Sequence, residues 1–430
     1  MSAGAGGTER TQGDRQAALK RVEATRNDLP EGAGIGRGMV LLLAFTTGAA
    51  VANMYLAQPL LHTLGRAFGV GAATTGLLVT VSQTGFVIGL ALLVPLGDLF
   101  ERRRLIVLSM AALSICQGVA AAAPDLALFA TAVLLVGVAT FVAQVIVPMS
   151  SQLAAAHERG RVVGTVMSGL LMGVLVSRTL SGIIAGLFGW RAVFGAAAAT
   201  MALLAIVLSR ALPQVQPTAE LSYAAALRSV LGLIRSEAVL RQRMVLGGCA
   251  FGSFSVLWTS LAFLLSGVHG SHYHYSNAAI GLFGLAGIAG ASAAQVAGRL
   301  ADSGHGAAAT TTTLVLLLAS WPLLALGAHS VLILIAAIIV LDLGVQGTHI
   351  GNQSAIYRLH PDARSRLTTA YMFAYFLGGI LCSSLTGALY ATDGWSGVCL
   401  LGAAVSLAAL LAWATTAPFI RIPTAEHSPA

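Results

Sequence analysis

Long uninterrupted apolar runs dominate this 430-residue sequence. Runs such as residues 39–61 and 126–149 are each long enough for a helix that crosses a hydrocarbon layer about 30 Å thick. Charged residues make up only 9% of the chain, whereas about a quarter of a soluble protein is charged. The runs also lack the period-two alternation of a membrane β-barrel strand. The sequence therefore predicts an all-α, multi-pass membrane protein and excludes a water-soluble enzyme.

The hydropathy pattern predicts twelve membrane spans, six on each side of a polar stretch. The first six are predicted at residues 38–61, 73–97, 104–123, 126–153, 162–187 and 191–210. The second six are predicted at residues 244–267, 277–297, 309–327, 331–357, 367–391 and 395–417. The predicted domains are an N-terminal tail at 1–36, a six-helix bundle at 37–210, a linker at 211–243, a second bundle at 244–418 and a tail at 419–430. The N-terminal tail lacks the apolar core of a signal peptide and is expected to be disordered and cytoplasmic.

The linker has a helical pattern of its own. Leu227, Leu231 and Ile234 recur at helical spacing beside two arginines. This pattern predicts either an amphipathic helix on the inner membrane face or a solvated tether with little structure.

The basic residues predict the orientation of the chain. The net charge of +8 comes from 24 Lys and Arg residues, which form short clusters rather than one patch and so give no indication of nucleic-acid binding. All but three lie in tails and loops on one side, the exceptions being Arg66, Arg191 and Arg178. Since cytoplasmic loops are rich in Arg and Lys, both termini are expected in the cytoplasm and the protein in the inner (plasma) membrane.

The two predicted halves share features at a spacing of about 205 positions, as expected of a duplicated six-helix unit. The repeated features are Asp98 and Asp302, the pairs Arg159/Arg161 and Arg364/Arg366, and the Gly-Trp pairs at 189–190 and 394–395. They occupy equivalent loops, so they favour two pseudo-symmetric bundles.

Arg178 and Asp342 are charged residues inside predicted spans. A charge near the bilayer centre costs roughly 3 kcal/mol or more, so it persists only with a partner or water. Their predicted depths in the membrane agree to within roughly 3 Å. We therefore expect the two side chains to form a buried pair across the two halves, or to take turns in forming one. An Asp whose proton affinity changes when the Arg leaves would couple protons to motion. A static ion pair that fixes helix packing is the alternative.

Span ten carries a polar stripe on an otherwise apolar helix. The stripe consists of Asp342, Gln346, His349 and Gln353, at positions i, i+4, i+7 and i+11. It is expected to face a central cavity and to bind a polar substrate, with His349 as a second candidate for proton binding. Hydrogen bonding between helices is the alternative. Substrate-pathway candidates in the first half are Gln144, Asn53, Gln58 and Gln83, the last three being equally compatible with packing contacts.

The loop at residues 97–104, Gly-Asp-Leu-Phe-Glu-Arg-Arg-Arg, resembles the signature of the major facilitator superfamily, and residues 298–302 resemble a second copy without the basic cluster. Residues 53–61 and 342–366 resemble the bacterial drug or sugar efflux branch. Span five has glycines on the register of the antiporter signature, but Ser177, Arg178 and Ser181 replace other signature positions.

The resemblance implies the fold of that superfamily, two six-helix bundles, and a gate on the inner side. It implies that Asp98 contacts the start of span eleven and helps to close this gate, with Arg102 orienting its carboxylate. The other gate candidates are Asp302, Arg159, Arg161, Arg364 and Arg366.

The expected function is secondary transport by alternating access, most specifically proton-coupled efflux of a drug or metabolite. Proton-coupled uptake and a non-transporting receptor or scaffold are the alternatives. An enzyme is not expected, because neither a P-loop nor an intramembrane hydrolase motif is present. No cofactor or metal is expected, since the four cysteines lack metal-site spacing. The expected partners are a small-molecule substrate, a proton and the lipid bilayer, with the chain as a monomer.

Overall fold

A computed structural model describes residues 35–93, 100–155, 157–213, 223–268, 271–287, 306–360 and 363–416. Within these ranges the regular structure is helical and no strand is present, which confirms the predicted all-α fold. Nine helical stretches of the described residues are long and apolar enough to cross a membrane, two of them containing a break. The count of twelve spans stays a prediction.

The first half consists of eight described helices. They are α1 (Arg37–Ala52), α2 (Leu61–Phe68), α3 (Ala72–Leu92), α4 (Arg102–Ala122), α5 (Leu126–Ala139), α6 (Val142–Leu153), α7 (Arg159–Phe188) and α8 (Trp190–Ala211). The predicted first span is interrupted, because α1 ends at Ala52 and a 3-10 turn containing Pro59 leads into α2. Proline fixes its own φ and lacks a backbone donor, so a turn is favoured there. The predicted fourth span is divided into α5 and α6.

The second half consists of six described helices. They are α9 (Tyr223–Ser236), α10 (Ala238–Leu265), α11 (Asn277–Leu282), α12 (Gly306–Leu326), α13 (Val331–Tyr357) and α14 (Arg364–Thr416). α9 lies within the residues predicted as the linker, and its amphipathic role on the membrane face stays a prediction. α14 contains a non-helical residue, Gly394, with φ 62°, and Gly189 between α7 and α8 has φ 82°. The repeated Gly-Trp pairs therefore mark the same kind of helix break, since glycine adopts positive φ without strain.

Glycines allow the helices to approach closely within and between the halves. Gly173 of α7 packs on Gly48 of α1, where an added Cβ would lie 2.6 Å from the Cα of Gly48. Gly182 of α7 packs on Gly281 of α11, with a corresponding distance of 2.9 Å. Small residues provide such close crossings in membranes, where van der Waals packing rather than burial from water holds helices together.

The bundle has two ends, a Trp190 end and an Arg159 end. At the Trp190 end, α7 is followed by α8, and Phe68 of α2 packs against Trp190 with ring centroids 5.4 Å apart. The opposite end, where α7 begins, is the Arg159 end. The basic residues predict that the Arg159 end is cytoplasmic.

The two halves meet mainly through the pairs α3–α14 and α7–α11. Hydrogen bonds across this interface join Thr63 to Asn277 (2.8 Å), Thr80 to Ser383 (2.8 Å), Thr179 to the carbonyl of Gly281 (3.0 Å) and Gln83 to Ser255 (3.0 Å). These bonds run from the Trp190 end to the middle of the helices. The interface is therefore closed at the Trp190 end.

Candidate functional site at the interface of the two halves

Arg178 lies on α7 at the interface, with only 1% of its surface exposed. Its Nε donates a hydrogen bond of 2.8 Å to Oε1 of Gln58. Three aromatic rings surround the guanidinium carbon, with centroids at 3.9 Å for Trp258, 4.9 Å for Tyr55 and 5.3 Å for Phe254. Because Trp258 and Phe254 belong to α10, these cation–π contacts connect the two halves.

Asp342 lies on α13 and is also buried, at 4% exposure. It is close enough to Arg178 for an electrostatic interaction, but no ion pair within 4.0 Å joins these two described side chains. Its Oδ2 packs against Gly287, where an added Cβ would lie 2.8 Å away. The structure thus brings the two predicted charges into one region without direct contact in this conformation.

Buried polar atoms without a hydrogen-bond partner are found in this region. Nη2 of Arg178, Nε1 of Trp258 and Oδ1 of Asp342 have no partner at hydrogen-bond geometry, although the Trp258 indole lies near enough to the Asp342 carboxylate to interact with it. A small cavity beside them is lined by Gln58, Pro59, Arg178, Trp258, Leu261, Ala262 and Ile280. Since an unpaired polar group is costly in an apolar interior, this region can offer two donors and one acceptor to water or to a ligand.

The rest of the polar stripe follows Asp342 along α13. Gln346, His349 and Gln353 are half-buried. Among the described residues, neither glutamine makes a side-chain hydrogen bond, and the same holds for half-buried Gln144 of α6. Nδ1 of His349 lies 3.1 Å from the hydroxyl of Tyr371. The stripe shares one helix face with Asp342, and on this face His349 also contacts the ring of Tyr375 of α14.

The other predicted substrate-pathway residues have different surroundings. Asn53 is held inside the first half, where its Nδ2 donates to the carbonyl of Ala49 (2.8 Å) and its Oδ1 accepts from Gln117 (2.7 Å). Gln58 supports Arg178, and Gln83 donates to Ser255 across the interface. The structure therefore places Gln58 and Gln83 at the interface and Asn53 in a packing position.

The predicted gate residues are only partly described. Arg102 is buried and donates to Oε1 of Gln152, within the first half. Arg159 and Arg161 are exposed, and Arg366 is half-buried. Asp98, Asp302 and the side chain of Arg364 lie outside the described residues, so the gate implied by the resemblance stays a prediction.

Arg243 is a buried residue that the sequence did not single out. In the sequence it falls at the end of the predicted linker. In the structure it lies on α10 with 1% exposure and donates hydrogen bonds to Thr310 and Asn352. The guanidinium carbon lies 4.8 Å from the ring centroid of Trp413. Its position next to an apolar run could have indicated burial. The nearby arginines of the linker instead suggested that it was one more basic residue of a cytoplasmic loop.

Comparison with known proteins identifies the family. Residues 43–328 and 272–429 match the Major Facilitator Superfamily. This chain belongs to that superfamily. It is 48% identical over 375 residues to a protein named as a transporter, YgaY of Escherichia coli strain K12, and the match covers 87% of this chain and 94% of that protein.

Two further similar proteins have lower sequence identity to this chain. A chloramphenicol resistance protein of Streptomyces lividans is 25% identical over 301 residues, which cover 70% of this chain and 75% of that protein. The xylose transporter XylE from E. coli has a TM-score of 0.69 at 14% identity, over 90% of this chain and 97% of the other. The XylE match shows the fold. This member of the major facilitator superfamily is thus a multi-pass membrane transporter, as the loop at residues 97–104 predicted.

Proposed function

We propose that this protein exports a small organic molecule in exchange for protons, by alternating access of its two halves. The chloramphenicol resistance protein among its relatives supports an organic compound as cargo and export as the direction. The distribution of basic residues supports a position in the plasma membrane with both termini in the cytoplasm. The transport unit is the monomer.

The buried carboxylate of Asp342, which has an unpartnered oxygen and no ion pair with a described residue, is the observation that supports proton coupling. A charge in an apolar interior is expensive unless a proton, an ion pair or water compensates for it. Binding a proton removes that cost, and so does contact with Arg178. A rearrangement that changes the distance between the two side chains therefore changes the proton affinity of Asp342.

Closure at the Trp190 end supports alternating access. The hydrogen bonds of Thr63, Thr80, Gln83 and Thr179 across the interface would have to break for that end to open. In the proposed orientation this end faces the outside. Asp98, Arg102 and the repeated arginines near residues 159–161 and 364–366 would provide the opposing gate at the Arg159 end.

The substrate path runs between α7 and the polar face of α13. Gln144, Gln346, His349 and Gln353 keep part of their surface exposed, so they provide hydrogen-bonding groups along this path. Gln58 and Gln83 fix the interface around Arg178.

The test is transport in proteoliposomes with an imposed pH gradient, with chloramphenicol as the first compound of a panel. We expect gradient-driven transport by the wild type and loss of gradient dependence in Asp342→Asn, which cannot change its charge. Asp393→Asn is the matched control, because Asp393 is exposed on α14 and should retain coupling. Coupled transport by Asp342→Asn would contradict the proton site.

The direction of the response separates export from uptake. Accumulation against an opposing proton flux supports the exchanger, and movement of the compound together with protons would instead show a symporter. Absence of transport across the whole panel would favour a receptor or scaffold.

A further inference from the structure

Among the described residues, Arg243 is a buried cation with no acidic partner. Its side chain is 1% exposed, and its hydrogen-bond acceptors are neutral, Oγ1 of Thr310 at 3.0 Å and Oδ1 of Asn352 at 3.2 Å. A buried charge that lacks an ion pair is costly to a protein. An arginine at this place therefore calls for an explanation beyond packing, and its hydrogen-bond chain provides one.

The chain of hydrogen bonds that starts at Arg243 has a fixed direction. A guanidinium can only donate, so the atom of Asn352 that faces it must be the oxygen. The amide nitrogen of Asn352 then donates to the Tyr371 hydroxyl and to the backbone carbonyl of Arg243, each at 3.4 Å. The Arg243 guanidinium thus fixes the orientation of the Asn352 amide.

The direction continues from Tyr371 to His349. The hydroxyl oxygen of Tyr371 accepts from Asn352, so its hydrogen is free to donate. Among the described residues, the other hydrogen-bond partner of this hydroxyl is Nδ1 of His349, at 3.1 Å. Tyr371 is fully buried, and a buried hydroxyl donates to an available acceptor. Nδ1 therefore accepts, and the ring hydrogen of neutral His349 lies on Nε2.

We propose that Arg243, Asn352 and Tyr371 position His349 as a hydrogen-bond donor, through Nε2–H, for an acceptor oxygen of the transported molecule. His349 is half-buried and shares the polar face of α13 with Asp342. The proposal rests on the proposed substrate path along this face and adds the class of group bound there, a carbonyl, ether or similar oxygen. Arg243, Asn352 and Tyr371 are positioning residues, since the contact with substrate is made by His349.

The surroundings of His349 fit this role. The ring of Tyr375 lies 4.7 Å from the imidazole by centroids and restrains its orientation together with the Tyr371 bond. A chain of hydrogen bonds that starts at a cation polarises each following donor, which makes the Nε2–H a stronger donor.

Asn352→Asp is the decisive variant because it reverses the chain. A carboxylate accepts from Arg243 and from Tyr371 but cannot donate. The Tyr371 hydrogen would then turn to Asp, its oxygen would accept from His349, and the ring hydrogen would move to Nδ1. Because Asn352→Asp also loses the hydrogen bond to the carbonyl of Arg243 (3.4 Å), the melting temperature of the variant is measured to separate a change at His349 from unfolding.

The measurement is ¹⁵N NMR of histidine side chains in the full-length protein, with the His349 signals assigned through His349→Gln. We expect protonated Nε2 and bare Nδ1 in the wild type, and the opposite tautomer in Asn352→Asp. Tyr371→Phe should leave a mixture of the two. A wild type with Nδ1–H, or an unchanged tautomer in Asn352→Asp, overturns the proposal.

Ligand binding is tested on the same signal with a panel of neutral compounds that carry acceptor oxygens, chloramphenicol first. We expect the wild-type Nε2 signal to shift on binding and the apparent affinity to fall about tenfold in Asn352→Asp, as for the loss of one hydrogen bond. A signal that no member of the panel moves overturns the assigned ligand group. Proton coupling is judged separately by Asp342→Asn, so the two proposals can fail independently.

Discussion

The guanidinium of Arg178 in one half lies 3.9 Å from the ring centroid of Trp258 in the other half. A desolvated cation–π contact of this kind contributes about 2 kcal/mol. Because the contact joins the two halves, it stabilises the conformation that is closed at the Trp190 end. It therefore links the cation of the candidate site to the opening of the bundle.

Trp258→Leu should shift the protein toward opening at the Trp190 end. Loss of about 2 kcal/mol corresponds to about a thirtyfold change in the equilibrium. The measurement is the labelling rate of Ala262→Cys, which lines the adjacent cavity, by an impermeant maleimide in a background without native cysteines. Trp258→Phe retains an aromatic face and should label at a rate near the wild type. Equal labelling of the Leu and wild-type proteins would argue against this role.

A cysteine pair at Thr80 and Ser383 should lock the transporter. Their hydroxyl oxygens lie 2.8 Å apart across the interface, so we expect cysteines at these positions to be cross-linked by an oxidant. Oxidation should abolish transport, and reduction should restore it. The matched control is Ser253→Cys with Ser406→Cys, whose hydroxyls lie 3.1 Å apart inside the second half. Transport that continues after complete cross-linking of the first pair would contradict closure at this interface.

Gly182→Ala should impair transport more than Gly186→Ala, although both lie on α7. A Cβ at Gly182 would come within 2.9 Å of the Cα of Gly281, whereas at Gly186 the nearest atom is the Cβ of Ala278 at 3.4 Å. The first substitution pushes a methyl group against the backbone of α11, at a typical cost of about 1–3 kcal/mol to the closed state. Transport rates at equal membrane levels test this expectation, and equal rates for the two variants would refute it.

Asn53→Ala should affect stability rather than substrate affinity. The substitution removes the acceptor of Gln117, which donates to Asn53 at 2.7 Å in the interior of the first half. A buried donor without a partner costs about 1–3 kcal/mol, so the melting temperature in detergent should fall while the KM is retained. Asn53→Ala with Gln117→Leu should recover part of the loss. A raised KM at an unchanged melting temperature would instead indicate that Asn53 contacts the substrate.

The sequence alone determined the class of the protein. Apolar runs of span length determine a helical membrane bundle, because only helices and closed barrels satisfy the backbone in lipid and these runs lack the alternation of barrel strands. The loop at residues 97–104 identified the superfamily. Arg178 and Asp342 could be singled out because a charge within a span is costly wherever the span packs.

Only the tertiary structure decided which polar residues meet. Periodicity places Asp342, Gln346, His349 and Gln353 on one face, but it cannot tell that Arg178 stacks on Trp258 of the other half instead of pairing directly with Asp342. It gives no sign that Arg243, counted among linker charges, is buried against Asn352. The physical reason is that partners far apart in sequence are chosen by helix packing, and packing depends on the shapes of all neighbouring side chains together.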